Sequence, residues 1–253
     1  MNIGIKFIMK NKIVIYTTIF GGKDNLIEPE FIPDGCDFVC FTDQDFISDT
    51  WKIKRVKPEF EDPNRSAKIY KILPHKYLLE YEISIWIDGN LLVRGDVNKL
   101  INDYLKNNNL AAFSHNKHTK RWKKLFWVKN AEDCRDCIFD ESGYLLKIGE
   151  DGKYKDNADL IRIQIEKYRN EGYPENNGLI VGMIILRKHN ESDVVKTMED
   201  WWQEIENGSR RDQLSFNYVA WKNKLNFVYM KGDSRRNKYF LHRKHKVRIN
   251  QKI

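Results

Sequence analysis

The sequence predicts an α/β fold, on three observations. Short apolar runs rich in β-branched residues recur along the chain, as in KIVIYTTIF (12–20) and DFVCFT (37–42). Between them lie longer stretches whose apolar residues recur at helical spacing, as in NRSAKIYKILPHKYLL (64–79). LIVGMIIL (179–186) is almost continuously apolar, the pattern of a central strand covered on both faces.

Taken in order, residues 12–20 form a buried first strand closed by Gly21-Gly22, and residues 24–33 a loop. DFVCFT is a second strand closed by Asp43, and WKIKRV (51–56) a third. These three resemble the nucleotide-binding half of a Rossmann-like sheet, although no G-x-G-x-x-G is present. Asn64 or Ser66 can cap the helix over 64–79, which Pro74 should end or kink. YEISIWIDGNLLVRG (81–95) supplies a strand by its alternation, and residues 96–105 an amphipathic helix. Leu110 to Phe113 is a short strand. The Lys- and Trp-rich stretch 117–152 is the least legible, with a helix expected around Ala131 to Phe139. Helices follow over Asn157–Arg169, Asp193–Ile205 and Arg211–Trp221, with a last strand over Asn226–Met230.

The 253 residues, 41% hydrophobic and 32% charged, describe a folded chain and exclude a disordered one. The domain reading is one unit over 1–230 and a basic C-terminal tail over 231–253, packing on or near the active site. The net charge is +8, much of it in that tail, which suits a phosphorylated ligand, nucleic acid or an anionic membrane, or simply a solvated surface. Of the four cysteines, Cys134 and Cys137 form a C-x-x-C without a second ligand pair, so zinc is weakly supported and free thiols in a reducing compartment are expected. MNIGIKFIMKNK is too short and interrupted for a signal peptide or membrane span. The expected location is cytoplasmic, with any membrane contact peripheral, at the inner face.

The chemistry centres on Asp88-Gly89-Asn90. An acidic residue at a strand's carboxyl end sits at the rim where open α/β sheets bind ligands. Asp88 and Asn90 can both reach one hard cation such as Mg²⁺ or Mn²⁺, although Asp-Gly-Asn is also good turn chemistry.

Several segments together resemble a GT-A type glycosyltransferase: VIYTTIFGGKD (14–24), FVCFTD (38–43), PNRSAKIYKILPHKYL (63–78), SIWIDGN (84–90), GYPENNGLIVGMIILRKHN (172–190) and SRRDQLSFNYVAW (209–221). More narrowly, the ordered series is similar to a family of bacterial, viral and plant hexosyltransferase-like proteins long known only as a domain of unknown function. The resemblance implies a single domain with a mixed, mostly parallel sheet flanked by helices. It also implies a nucleotide-sugar donor, a UDP-sugar in first place, a divalent cation (Mn²⁺ or Mg²⁺), and a glycan or lipid-linked acceptor.

The resemblance further implies roles for individual residues. The first strand and its turn, Tyr16, Thr17 and Phe20, would line the nucleotide pocket, with Asp43 meeting base or ribose. Tyr16 could equally be a core ring. Arg65, Lys68 and Lys71 are candidates to face phosphate or the metal-site carboxylate, Lys68 first. Asp88 and Gly89 would hold the diphosphate, and Asp88, Asn90 and a C-terminal histidine (His242 before His245) the metal. The usual motif is D-x-D, so the neutral Asn90 should weaken that site. Asn176, Asn177 and Gly178, a polar loop just before a buried strand, would meet sugar hydroxyls. Asp212 and Gln213 are the catalytic candidates: Asp212 as general base of an inverting transfer, or both residues lining the face of a retaining one, which is favoured. Asp212 could instead be only a helix cap. Trp201-Trp202 would stack on an acceptor sugar or, the preferred reading, fill the core. The competing class is a basic, non-enzymatic nucleic-acid-binding protein, which explains the charge but not the acidic strand end.

Overall fold

The computed structural model describes residues 12–115, 135–150, 152 and 156–245. Nine strands and seven helices lie among them. The strands are β1 (Ile13–Ile19), β2 (Cys36–Thr42), β3 (Trp51–Arg55), β4 (Ile83–Ile87), β5 (Leu91–Val93), β6 (Leu110–Ser114), β7 (Ile180–Arg187), β8 (Phe227–Met230) and β9 (Phe240–His242). The helices are α1 (Pro63–Ile72), α2 (Pro74–Tyr77), α3 (Asn98–Tyr104), α4 (Ile138–Glu150), α5 (Ala158–Asn170), α6 (Ser192–Asn207) and α7 (Phe216–Lys222).

Seven strands form one sheet in the order β3-β2-β1-β4-β7-β6-β8. The pairs β1–β2, β2–β3, β1–β4 and β6–β8 are parallel, whereas β7 runs antiparallel to both β4 and β6. The sheet is thus mixed and mostly parallel, the α/β class read from the sequence.

The two-residue period of the strands sorts their side chains into two cores. Val14 and Tyr16 of β1 and Trp86 of β4 pack with α1, α5 and α6 on one face. Ile15 and Ile19 of β1 and Ile85 and Ile87 of β4 pack with α3 on the other. The apolar run of β7 is explained by its place between β4 and β6, with both faces covered.

The structure departs from expectation at several element ends. Asp62, not Asn64 or Ser66, caps α1: its carboxylate accepts from the Asn64 N–H, and Pro63 takes the first turn, where a missing N–H costs nothing. Ser66 turns inward to Phe60 instead. Pro74 opens the short α2 rather than only ending α1. Of the helix expected around 131–139, residues 131–134 fall outside the described residues, as does all of 116–134; 135–137 are not helical, and a helix begins only at Ile138 and runs to Glu150. The helix expected over 211–221 is split into a 3₁₀ turn, Asp212–Leu214, and α7.

The region read as a tail contains an unforeseen element. β9 pairs antiparallel with β5, setting His242 opposite Leu91 and the fully buried Phe240 opposite Val93. The Arg243 N–H then donates to the Asn90 carbonyl at 2.8 Å, so residues 240–243 are laid along the chain just after Asp88. Among the described residues no helix is long and apolar enough to cross a membrane. Cys36, Cys40 and Cys137 are free, buried thiols; Cys134 lies outside the described residues.

Candidate active site at the carboxyl end of β4

β4 runs directly into Asp88, whose backbone N–H is tied to the Met183 carbonyl of β7 at 2.9 Å. The Asp88 side chain stays over one third exposed, at 36%. Its Oδ1 accepts the Trp86 indole N–H at 3.0 Å and lies 3.8 Å from Lys71 Nζ. Gly89 packs tightly on β1: a Cβ there would sit 3.0 Å from Ile19 Cγ1.

Behind Asp88 is a buried ion cluster. Asp212 Oδ2 lies 2.7 Å from Lys68 Nζ and 2.5 Å from Lys71 Nζ. Burial alone would raise the Asp212 carboxyl, but the two ammonium groups hold it well below the usual carboxylate range. Burial, reinforced by the neighbouring Lys71 charge, pushes the Lys68 ammonium down to about 8 against the pull of Asp212. Room for the cluster comes from Gly182 in β7, where a Cβ would lie 3.0 Å from Lys71 Nζ and 3.2 Å from Asp212 Oδ2. Asp212 opens the 3₁₀ turn, follows the N-cap Arg211, and spends its side chain on the lysines rather than on a cap. Its carbonyl accepts the indole N–H of Trp201 at 3.0 Å. Trp201 is fully buried and Trp202 6% exposed, so both belong to the core and neither is open to an acceptor.

In front of Asp88 the C-terminal segment closes in. The buried Asn90 amide nitrogen lies 3.0 Å from His242 Nε2 and 3.2 Å from His245 Nε2. An amide nitrogen only donates, so both ring nitrogens accept. His245 Nδ1 in turn lies 2.8 Å from the Asp24 carboxylate, which fixes the tautomer with its proton on Nδ1.

The sequence candidates fall into four groups. Lys68, Lys71, Asp88 and Asp212 form one cluster, and Asn90, His242 and His245 a second, joined to the first through the Asp88-Gly89-Asn90 turn. Thr17 and Gly89 line a narrow slot beside Asp88 with Leu26, Ile27 and Trp51. The Thr17 hydroxyl is buried there with no partner among the described residues. The remaining candidates are engaged elsewhere. Tyr16 is fully buried, donating to the Lys71 carbonyl at 2.9 Å and accepting from Arg187, and burial raises its hydroxyl to about 12; it is the core ring of the two readings. Phe20 is buried in a stack on Tyr70. Asp43 accepts from the Gly21 N–H at 3.0 Å and ties the turn after β1. Arg65 donates to the carbonyls of Ile205, Glu206 and Gly208, ending α6 rather than meeting a phosphate. The Gln213 amide donates to the Ile180 carbonyl at 2.8 Å. Gly178 bridges to Cys137, and Asn177 is exposed, its carbonyl accepting from the Asn217 amide at 3.4 Å.

Sequence reasoning missed Asp24 and Trp86 altogether. Trp86 carried a usable signal, because residues 86 and 88 fall on the same side of a strand. Asp24 carried none, since its partner His245 is 221 positions away.

A mixed, mostly parallel sheet with an acidic strand end and a buried lysine–aspartate cluster behind it defines an α/β domain with a candidate site at the carboxyl end of β4. The family model for the TOD1/MUCI70 glycosyltransferase-like domain matches residues 39–245, and the chain belongs to that family. Among curated proteins it is similar to an Arabidopsis thaliana protein named "Probable hexosyltransferase MUCI70", 29% identical over 168 residues. That match covers 63% of this chain and 25% of the relative, so the chain spans about a quarter of the curated relative's length. Similar solved structures include the bifunctional glycosyltransferase WbbM (TM-score 0.47, 9% identity, covering 88% of this chain and 39% of that one). Mouse xyloside xylosyltransferase 1 (0.44, 10%, 87% and 84%) is another. A third is a glycosyltransferase involved in glycosylation of the major capsid of PBCV-1 (0.46, 10%, 91% and 92%).

Proposed function

We propose that the chain carries a cation-dependent glycosyltransferase, moving a sugar from a nucleoside diphosphate donor, a UDP-sugar in first place, to a hydroxyl of a glycan or lipid-linked acceptor. The observation that carries this reading is the meeting, at one end of β4, of an exposed carboxylate, a buried amide and two imidazoles whose lone pairs converge on that amide.

Among the described residues no three His, Cys, Asp or Glu side chains converge as a ready-made metal centre. The fit to a divalent ion depends on Asn90. Amide oxygen and nitrogen are assigned from the hydrogen-bond network, and turning the amide over presents Oδ1 to the same two rings. A 3.0 Å spacing between donor atoms is the edge of an octahedron with ligands at about 2.1 Å. Asp24, bonded to the far nitrogen of His245, is the outer partner that histidine ligands usually have. The residues fit. Asp88, Asn90 and His242, with His245 beside them, would hold the ion. A mixed oxygen and imidazole set suits Mn²⁺ better than Mg²⁺. Such an ion supplies neutralisation of the charge that develops on the leaving diphosphate.

The chain's own residues supply the rest. The Lys68–Lys71–Asp212 cluster carries one net positive charge to the same strand ends, and Lys68, the more exposed of the two lysines, would meet the diphosphate. The narrow slot lined by Thr17, Leu26 and Trp51 lies beside Asp88 and would have to widen to take a base or ribose. Asp212, held ionised by two lysines, is a weak proton acceptor, because its affinity for a proton is the property the lysines suppress. That favours a positioning role and a retaining transfer over a general base in an inverting one. The basic C-terminal region supports peripheral contact with an anionic membrane, where a lipid-linked acceptor would lie.

The test is a melting screen of nucleotide sugars with and without divalent ions. A rise in melting temperature with UDP plus Mn²⁺, and none with either alone, is expected. No shift with any nucleotide at millimolar concentration would overturn the reading.

A further inference from the structure

We infer that Trp86 is a positioning residue for the Asp88 carboxylate: its indole N–H occupies Oδ1 and its ring face carries Lys71, so that Oδ2 is the oxygen left for a divalent cation. The inference rests on the cation site proposed above and extends it to a residue of the strand interior.

Four observations carry it. The Trp86 Nε1–H donates to Asp88 Oδ1 at 3.0 Å. Lys71 Nζ stands 5.2 Å from the centroid of the same indole, within cation–π range. The indole cannot move to serve both by chance, since it is 4% exposed and the Tyr16 ring meets it edge-on at 5.4 Å. Among the described residues no group takes Asp88 Oδ2.

A carboxylate flanked by a lysine has two ways to settle. It can turn both oxygens to the ammonium, which cancels its charge and lowers its value as a ligand. It can instead be held by one oxygen, with the other presented outward. Lys71 stands 3.8 Å from Oδ1, too far for a full hydrogen bond, while its shorter contact at 2.5 Å goes to Asp212. The indole is what separates these outcomes: it holds Oδ1 by a neutral donor and the ammonium by its π face. Asp88 therefore keeps its negative charge for the solvent side.

The experiment is Mn²⁺ titration in the presence of UDP, read from the electron paramagnetic resonance of free Mn²⁺, which needs no turnover. Trp86→Phe keeps an aromatic face for Lys71 and an edge for Tyr16 but removes the N–H. Its Mn²⁺ affinity is expected to fall about 10- to 100-fold, the usual loss on removing a residue that orients a ligand, with melting temperature unchanged without ligand. If that variant melts early, β-(3-benzothienyl)alanine at position 86 replaces the N–H by sulfur in the same bicyclic shape and should show the same loss. Wild-type Mn²⁺ affinity in a folded variant would overturn the inference alone. Absence of Mn²⁺ binding by the unsubstituted chain would overturn the proposed function and the inference with it.

Discussion

Lys71 and Asp212 form a 2.5 Å ion pair inside the protein, with side chains only 4% and 6% exposed. The pair joins α1 to the 3₁₀ turn that follows α6. Lys71 is held from the other side as well, because its backbone carbonyl accepts from both Tyr16 and Arg187. Its main chain and its ammonium are therefore both fixed, and the charge sits at one point under Asp88.

Removing the acid of this cluster should be costly. Asp212→Ala leaves two lysines facing each other with little water, and breaking a buried pair this way typically costs about 3–5 kcal/mol. Chemical denaturation should show it. Asp212→Asn tests the charge alone. The wild-type carboxyl is held below its ordinary range, so its contribution is present above about pH 4 and lost as pH falls further. The asparagine variant should lack that part of the acid-side loss.

Lys68 gives a dependence at the other end of the scale. With its ammonium pushed down to about 8, the free protein loses this proton as pH rises through that value. Affinity for UDP should fall across the same range, by about tenfold if one charged hydrogen bond to phosphate is lost. Lys68→Arg stays charged and should flatten the fall. Titration calorimetry from pH 7 to 9.5 reads both.

Asp88→Ala should leave the fold intact, since the side chain is partly exposed and its backbone bond to Met183 remains. Sugar-nucleotide hydrolysis or transfer should drop by at least about 100-fold, the scale of losing a ligand and charge at the reacting diphosphate. Normal turnover in this variant would remove Asp88 from the chemistry.

Truncation after Phe240 removes His242 and His245 together with several cations of the C-terminal region. Mn²⁺ affinity in the presence of UDP should fall, and so should retention on vesicles containing anionic lipid, as measured by sedimentation. Unchanged sedimentation would dismiss the membrane contact while leaving the cation result to stand by itself.

What the sequence disclosed followed the range of the forces involved. Strand alternation and helical spacing are local, so β1, β2, β3, β4, β7 and the helices α5 and α6 were readable to within a few residues. Asp88 was readable because a strand and a turn meet at it. The fate of Arg65 was not, because a helix-surface arginine reads the same whether it meets phosphate or, as here, carbonyls about 140 positions away. Tyr16 was ambiguous for a similar reason: only the tertiary packing brings Arg187 to its hydroxyl. β5 and β9 escaped notice because three-residue strands carry almost no periodic signal, and because positive charge around β9 masked its apolar centre at Phe240 and Leu241.

The pairing of β9 with β5 also makes the geometry at Asn90 a long-range contact. Asn90 stands 152 positions ahead of His242, and β7, which flanks β4 in the sheet, lies between them in sequence, so strands from distant parts of the chain must all be in place before the two side chains meet. Until β9 has paired with β5, neither His242 nor His245 is held beside Asn90. Closing this end of the sheet is therefore a long-range event, completed only when β9 reaches β5.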